Sequence, residues 1–186
     1  MSTKLKVMVL ALIVASMLGI APAASADETE WLTAMSPRLE LRVPDERSRI
    51  ALLKTVRLEA IRSGLDPQLV LGLIDVVSGF KKYAVSKDGA RGFMQVSPAW
   101  PERIGTKDDS LFDTRRNIRY GCTILRHFLD LENNNLSRAL GRYESQMHGL
   151  IDKEIEPGAG SSEFSRKVEG AWKTRWRIER RPTTPN

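Results

Sequence analysis

The sequence predicts a mainly α fold: one small helical domain with a glycine-rich loop or short hairpin among its helices. Three observations predict it. Apolar residues recur at helical spacing in most segments, and several of these segments follow an Asp able to cap a helix. One central stretch, residues 80–97, lacks that period and carries Gly89 and Gly92. The composition, 41% hydrophobic and 28% charged over 186 residues, suits a single globular domain and excludes wholesale disorder, collagen-like repeats and a disulfide-stapled miniprotein.

The first residues are read as a leader rather than as part of that domain. Lys4 and Lys6 precede an apolar run from Val7 to Ile20, and Ala24-Ser25-Ala26 supplies a small-residue cleavage site before Asp27. This is the pattern of a secretory signal peptide over 1–26, cleaved after Ala26. A retained anchor is the alternative, but the run is short for a span of about 20 residues. Without Lys4 and Lys6 the net charge falls from +6 to +4. That bias suits an acidic polymer or a membrane surface without specifying either.

Each element has its own signals. Asp45 caps a helix carrying Ile50, Leu53, Val56, Ala60 and Ile61, which Gly64 stops. Asp66-Pro67 opens the next, with the stripe Leu69, Val70, Leu73, Ile74 and Val77, ended by Gly79. Ser97-Pro98 opens a short helix ending near Gly105. Asp113 caps a longer helix to about Glu132, with Ile118, Cys122, Leu125, Phe128 and Leu129 inward. Asn133 to Asn135 form a turn, and Ser137 caps a helix bearing Ala139, Leu140 and Tyr143. Residues 156–162 read as a linker. A last helix, about 163–179, carries Phe164, Val168, Trp172 and Trp176, with Pro182 beyond it. The resulting division is a 27–65 helical segment packing on the domain, a 66–155 domain, and a 156–186 linker and basic helix.

Familiar catalytic groupings are missing from the text. The single Cys122 has no disulfide partner, and with His127 and His148 it makes no standard metal spacing. No Ser-His-Asp arrangement or phosphate loop appears, so neither a metal nor a cofactor is expected. The C-terminal helix has Trp172 and Trp176 four apart among basic residues. Sugar stacking, contact with anionic lipid and simple packing on the domain all fit it. Nucleic acid is not an expected partner of an exported chain.

Four ordered blocks go further. They are Leu69 to Ile74 with Ser78-Gly79-Phe80; Tyr83 to Ser86 with Gly89-Ala90-Arg91-Gly92-Phe93-Met94-Gln95-Val96; Leu111-Phe112-Asp113 with Asn117 to Gly121; and Arg142-Tyr143. Together they resemble the catalytic domain of the soluble lytic transglycosylase (SLT) family, a relative of goose-type lysozyme. The resemblance implies an α+β lysozyme-like domain directed at peptidoglycan. In such enzymes one carboxylic acid protonates the bond between N-acetylmuramic acid and N-acetylglucosamine. It then acts as base while a 1,6-anhydro ring closes.

The family places that acid immediately before the Ser that ends the buried helix. Here the position is Val77, ahead of Ser78. Valine moves no proton, and general acid-base catalysis contributes roughly 10² to 10⁴-fold. By resemblance, Ser78, Ser86, Met94 and Gln95 fall where the family binds its sugar, and Tyr143 falls where a tyrosine approaches the acid. Glu144 replaces the usual Asn and Gln146 the usual Gly. Three readings follow. The cleft binds glycan strands without cutting them, Val77 being plain core packing. Alternatively the acid has moved to Glu144, where a carboxyl beside Val77 would be desolvated. Or the chain is a non-enzymatic scaffold for an envelope protein partner. Asp75 lies about 200° around the helix from Val77, which suits an exposed or bonded residue rather than a substitute acid.

Overall fold

A computed structural model describes residues 26–150 and 162–178. The signal peptide, the linker and Pro182 therefore fall outside the described residues, Ala26 and Ser162 excepted. The chain divides into two compact units, 1–33 and 34–186. Helix α1 (Ala26–Leu39) contributes residues to both. In the first unit the Thr33 hydroxyl donates to the Thr29 carbonyl within α1.

The second unit is mainly α, as expected. After α1 come α2 (Glu46–Arg62), α3 (Pro67–Val77), the short α4 (Trp100–Ile104), α5 (Thr114–Leu131), α6 (Leu136–Met147) and α7 (Glu163–Ala171). A π-helical turn, Trp172–Trp176, continues from α7. Asp45, Asp66 and Asp113 cap α2, α3 and α5, accepting from the amides of Ser48, Gln68 and Arg116. Each satisfies an amide that the first helical turn cannot.

Three boundaries differ from the sequence reading. Helix α6 starts at Leu136, and Asn135 rather than Ser137 caps it, accepting from the Arg138 amide. Ser137 instead meets Ser165 of α7, 3.1 Å between hydroxyl oxygens. The short helix begins at Trp100 with no side-chain cap, and Gly105 follows it as expected. The last α-helix stops at Ala171, because the next five residues take the wider π winding.

Helix α3 is the centre of the packing. It lies against α2, α7 and the π turn, while α5 packs on α2 and α6. Val70, Leu71, Leu73 and Ile74 of α3 are fully or almost fully buried, as are Ile118, Ile124 and Leu125 of α5. Cys122 sits among them, and burial pushes its thiol well above the ordinary range. No named strand occurs among the described residues. The glycine-rich stretch instead forms two isolated antiparallel bridges, Val85 with Arg91 and Arg91 with Val96.

Candidate functional site

The four sequence blocks meet at one dipeptide, Phe93-Met94. From α3, the Ser78 hydroxyl lies 2.7 Å from the Phe93 carbonyl and 3.1 Å from that of Ile74. From α5, the Asn117 side-chain oxygen accepts from the Met94 amide at 2.8 Å. Its nitrogen donates to the Arg91 and Leu111 carbonyls. From α6, the Tyr143 hydroxyl donates to the Met94 carbonyl at 2.8 Å. Three helices thereby hold both peptide groups of a loop that has almost no ladder of its own. Burying such groups unpaired would cost on the order of 1 to 3 kcal/mol each.

The loop needs unusual backbone angles to be held this way. Gly92 takes φ +78°, and a Cβ there would stand 2.4 Å from the Asn117 side-chain nitrogen and 2.6 Å from the Leu111 carbonyl. Gln95 takes φ +49° without being glycine. Its side-chain nitrogen donates to the Gly92 and Ala84 carbonyls, which anchors the turn. Its own carbonyl accepts from Gln146. The other end of the Gln146 amide accepts from the Ser97 amide and the Trp100 indole, both at 3.1 Å.

The residues expected at the sugar site, and Tyr143 expected beside the acid, therefore divide. Ser78, Met94, Gln95 and Tyr143 are all buried, and their polar atoms hold the loop. Met94 packs against Gly121. Burial holds the Tyr143 phenol well above its ordinary pKa, so it is a neutral donor. Ser86 is half-buried, and its hydroxyl accepts from the Ala90 amide at 3.1 Å.

Val77 and Glu144 do come together. Both line an open recess of about 340 Å³ at the C-terminal end of α3. Val76 and Val77 form one side, and Glu144 and Met147 of α6 another. The third comes from α7, with Glu163, Phe164 and Lys167. Val77 is half-exposed, which corrects its reading as plain core packing. The stripe of α3 is covered up to Ile74, but the last turn emerges at the recess.

Two carboxylates and one ammonium face this space. Glu163 pairs with Lys167 at 2.6 Å, one turn apart. The hydrogen bond and charge of Lys167 hold the Glu163 carboxyl below its ordinary pKa. The Glu144 side chain has neither a hydrogen bond nor an ion pair among the described residues, although the residue is half-buried. The contribution of α7 was missed in the sequence. Its signal was the Glu163-to-Lys167 spacing with Phe164 alongside, which sets all three on neighbouring helix positions.

The C-terminal segment is fastened to α3. Asp75 is buried and receives Arg42 at 2.8 Å, Arg175 at 3.0 Å and the Trp176 indole at 3.1 Å. The Trp172 indole donates to Asp66 at 3.0 Å, and the Ile178 amide donates to Gln68. Both indole N–H groups are thus engaged within the domain, and Trp176 is 1% exposed. Of the expected roles for these tryptophans, this geometry matches packing. Asp75 is the bonded residue anticipated for it.

Comparison with known proteins gives the family. The family model described as the transglycosylase SLT domain matches residues 55–154, more than half of the chain. A membrane-bound lytic murein transglycosylase C from Actinobacillus pleuropneumoniae serotype 5b is 50% identical over 46 residues, 25% of this chain and 13% of that protein. A transglycosylase of Enterobacteria phage PRD1 is 32% identical over 77 residues, 41% of this chain and 28% of its own length. The chain thus spans less than a third of these curated relatives. An X-ray structure of an inactive mutant of the lytic transglycosylase Slt from Pseudomonas aeruginosa aligns with a TM-score of 0.49 at 21% identity, covering 74% of this chain and 23% of that one. The family match spans all four blocks, whose side chains the folded chain brings together at Phe93-Met94, and the chain belongs to the transglycosylase SLT domain family.

Proposed function

We propose that this protein is exported to the periplasm and binds peptidoglycan glycan strands beside the glycine-rich loop, with little or no cleavage. The observation that carries the reading is Val77. It lines the recess, and by the sequence resemblance it stands at the position of the family's acid. A glycosidic oxygen placed there meets methyl groups. Without general acid catalysis the expected loss is roughly 10² to 10⁴-fold. The rigid loop supports retained binding, since a held surface loses little freedom when a strand docks.

The second reading has its own support. Glu144 lines the same recess and has no partner among the described residues. Its half-buried side chain on the wall of the recess that Val77 also lines is the feature that supports a relocated acid.

The test is a digest of purified peptidoglycan by the native protein and by Val77→Glu, scored for 1,6-anhydromuropeptides by mass spectrometry. The binding reading expects a silent native chain, retention on insoluble peptidoglycan, and cleavage by the glutamate variant. Cleavage by the native chain that Glu144→Gln abolishes would establish the second reading. A chain that neither cuts nor is retained on peptidoglycan would overturn both, leaving a scaffold for an envelope protein.

A further inference from the structure

The basic C-terminal segment spends much of its charge on nearby carboxylates. Lys167 pairs with Glu163, Lys173 with Glu169 and Arg175 with Asp75. The glycine-rich hairpin does not. Lys81, Lys82, Lys87 and Arg91 have no ion pair among the described residues. The one carboxylate between residues 81 and 91, Asp88, is taken by His148 at 2.6 Å. Two of the four cations meet rings instead. The Lys82 ammonium lies 5.2 Å from the centre of the Tyr83 ring, and the Arg91 guanidinium 6.0 Å from that of Phe112. The two rings are tilted against each other with centres 5.8 Å apart. A ring steadies a cation without cancelling its charge, so the positive charge stays available to a partner.

The backbone gathers this charge and an apolar surface on one face. The Ser86 amide donates to the Ala90 carbonyl, and the Gly92 amide to the Ala84 carbonyl. Val85 and Arg91 stand directly opposite each other between those bonds, with their side chains on the same face of the pair. On that face Val85 is 60% exposed, and Tyr83 beside it is 70% exposed. Ala84 and Ser86 flank Val85 and point to the other face. Ser86 is the hairpin residue expected at the sugar, so a glycan strand and a partner on the outer face do not compete.

An exposed tyrosine and valine among long, unpaired cations suit one occupant best. Tyrosine settles at the boundary between lipid headgroups and acyl chains, with its ring in the apolar part and its hydroxyl wet. Lysine and arginine lay their stems along apolar surface while their charges reach outward. Clustered cations add their attraction to an anionic leaflet. We infer that the outer face of this hairpin docks on an anionic phospholipid surface. Tyr83 and Val85 sit at headgroup level, and Lys81, Lys82, Lys87 and Arg91 face the lipid phosphates. The inference stands apart from the glycan reading, since none of these residues lines the recess.

Co-sedimentation of the full chain with lipid vesicles tests it. Neutral vesicles are phosphatidylcholine alone, and anionic ones hold one part phosphatidylglycerol to two parts phosphatidylcholine. The native protein is expected to bind the anionic vesicles about tenfold or more tighter, and salt should narrow the gap. Joint Lys81→Glu and Lys82→Glu substitution should weaken anionic binding by about tenfold and leave retention on peptidoglycan unchanged. The leader read over 1–26 is common to both proteins and drops out of the comparison. A polarity-sensitive dye on Val85→Cys locates the contact, because the native Cys122 is fully buried. Its emission should move to the blue on anionic vesicles. The same dye on Leu131→Cys should not respond, since Leu131 lies at the far end of α5, an 18-residue helix about 27 Å long. Equal vesicle binding by the native and doubly substituted chains, or an unmoved dye at Val85, would overturn the lipid surface. A Val85 dye that responds to polyglutamate but not to vesicles would overturn it as well, assigning the face to an acidic protein chain.

Discussion

The Trp176 indole N–H donates to the Asp75 carboxylate across 3.1 Å, and both side chains are buried. They lie on the π turn and on α3, a hundred residues apart in sequence but joined at one carboxylate. Arg42 and Arg175 reach the same group. Asp75 lies two residues before Val77, so the clamp fixes the helix that presents the recess. It also holds the segment that carries α7, the third wall.

Replacing Asp75 with Asn should therefore loosen the C-terminal segment. The amide cannot balance two guanidinium groups. Fully buried pairs cost roughly 3 to 5 kcal/mol when one partner is lost. Arg42 and Arg175 are about a third and a half exposed and can rehydrate, so about 2 to 3 kcal/mol is expected here. Urea unfolding followed by tryptophan fluorescence reads this loss. An unchanged midpoint would mean that the clamp adds nothing to stability.

The floor of the loop depends on a helical glycine. A Cβ on Gly121 of α5 would stand 2.3 Å from the Met94 sulfur and 2.6 Å from its Cβ. Gly121→Ala should push Met94 away and stretch its bonds to Asn117 and Tyr143, costing about 1 to 3 kcal/mol as overpacking usually does. Peptidoglycan retention should weaken with it. Hydrogen exchange at the Met94 amide is the direct measurement, and protection equal to the native chain would refute the argument.

Tyr143 is a more delicate probe of the same contact. Tyr143→Phe keeps the ring and leaves the Met94 carbonyl without its donor. About 1 to 2 kcal/mol of stability should be lost, as for other buried bonds broken on one side. Stability and strand binding are expected to fall together, because the hydroxyl acts through the loop. Lost binding at full stability would show that the phenol touches the ligand itself.

Much of this architecture was legible because its signals are local. Asp45, Asp66 and Asp113 bond amides two or three residues away, so their helix starts could be read directly. Ser137 misled because Asn135 is an equally good cap two residues earlier, and only the meeting of Ser137 with Ser165 on α7 decides between them. The π turn was invisible for a similar reason. Trp172 and Trp176 reach carboxylates more than a hundred positions upstream, and the backbone winds to let both arrive. Val77 continued an apolar stripe by spacing alone, but spacing does not say where the covering helices end. Resemblance located Val77 and Glu144. It said nothing of Glu163, Phe164 and Lys167, which lie beyond the matched residues 55–154.

The junction between α5 and α6 makes stability depend on acid. Burial pushes the Glu132 carboxyl up, but hydrogen bonds from Arg142 and Arg138 outweigh it and hold the pKa below the ordinary 4.5. A carboxyl with a lowered folded-state pKa adds stability above its unfolded value. That contribution is lost as pH falls through the folded one. The native chain should therefore keep the full contribution above about pH 5 and lose it progressively at lower pH. Glu132→Gln has no charge to titrate, so it should be less stable near neutrality and show a flatter acid limb. The two curves should converge toward the acid end. Thermal unfolding of both proteins across that range is the measurement, and parallel curves would show that the cluster is not coupled to folding.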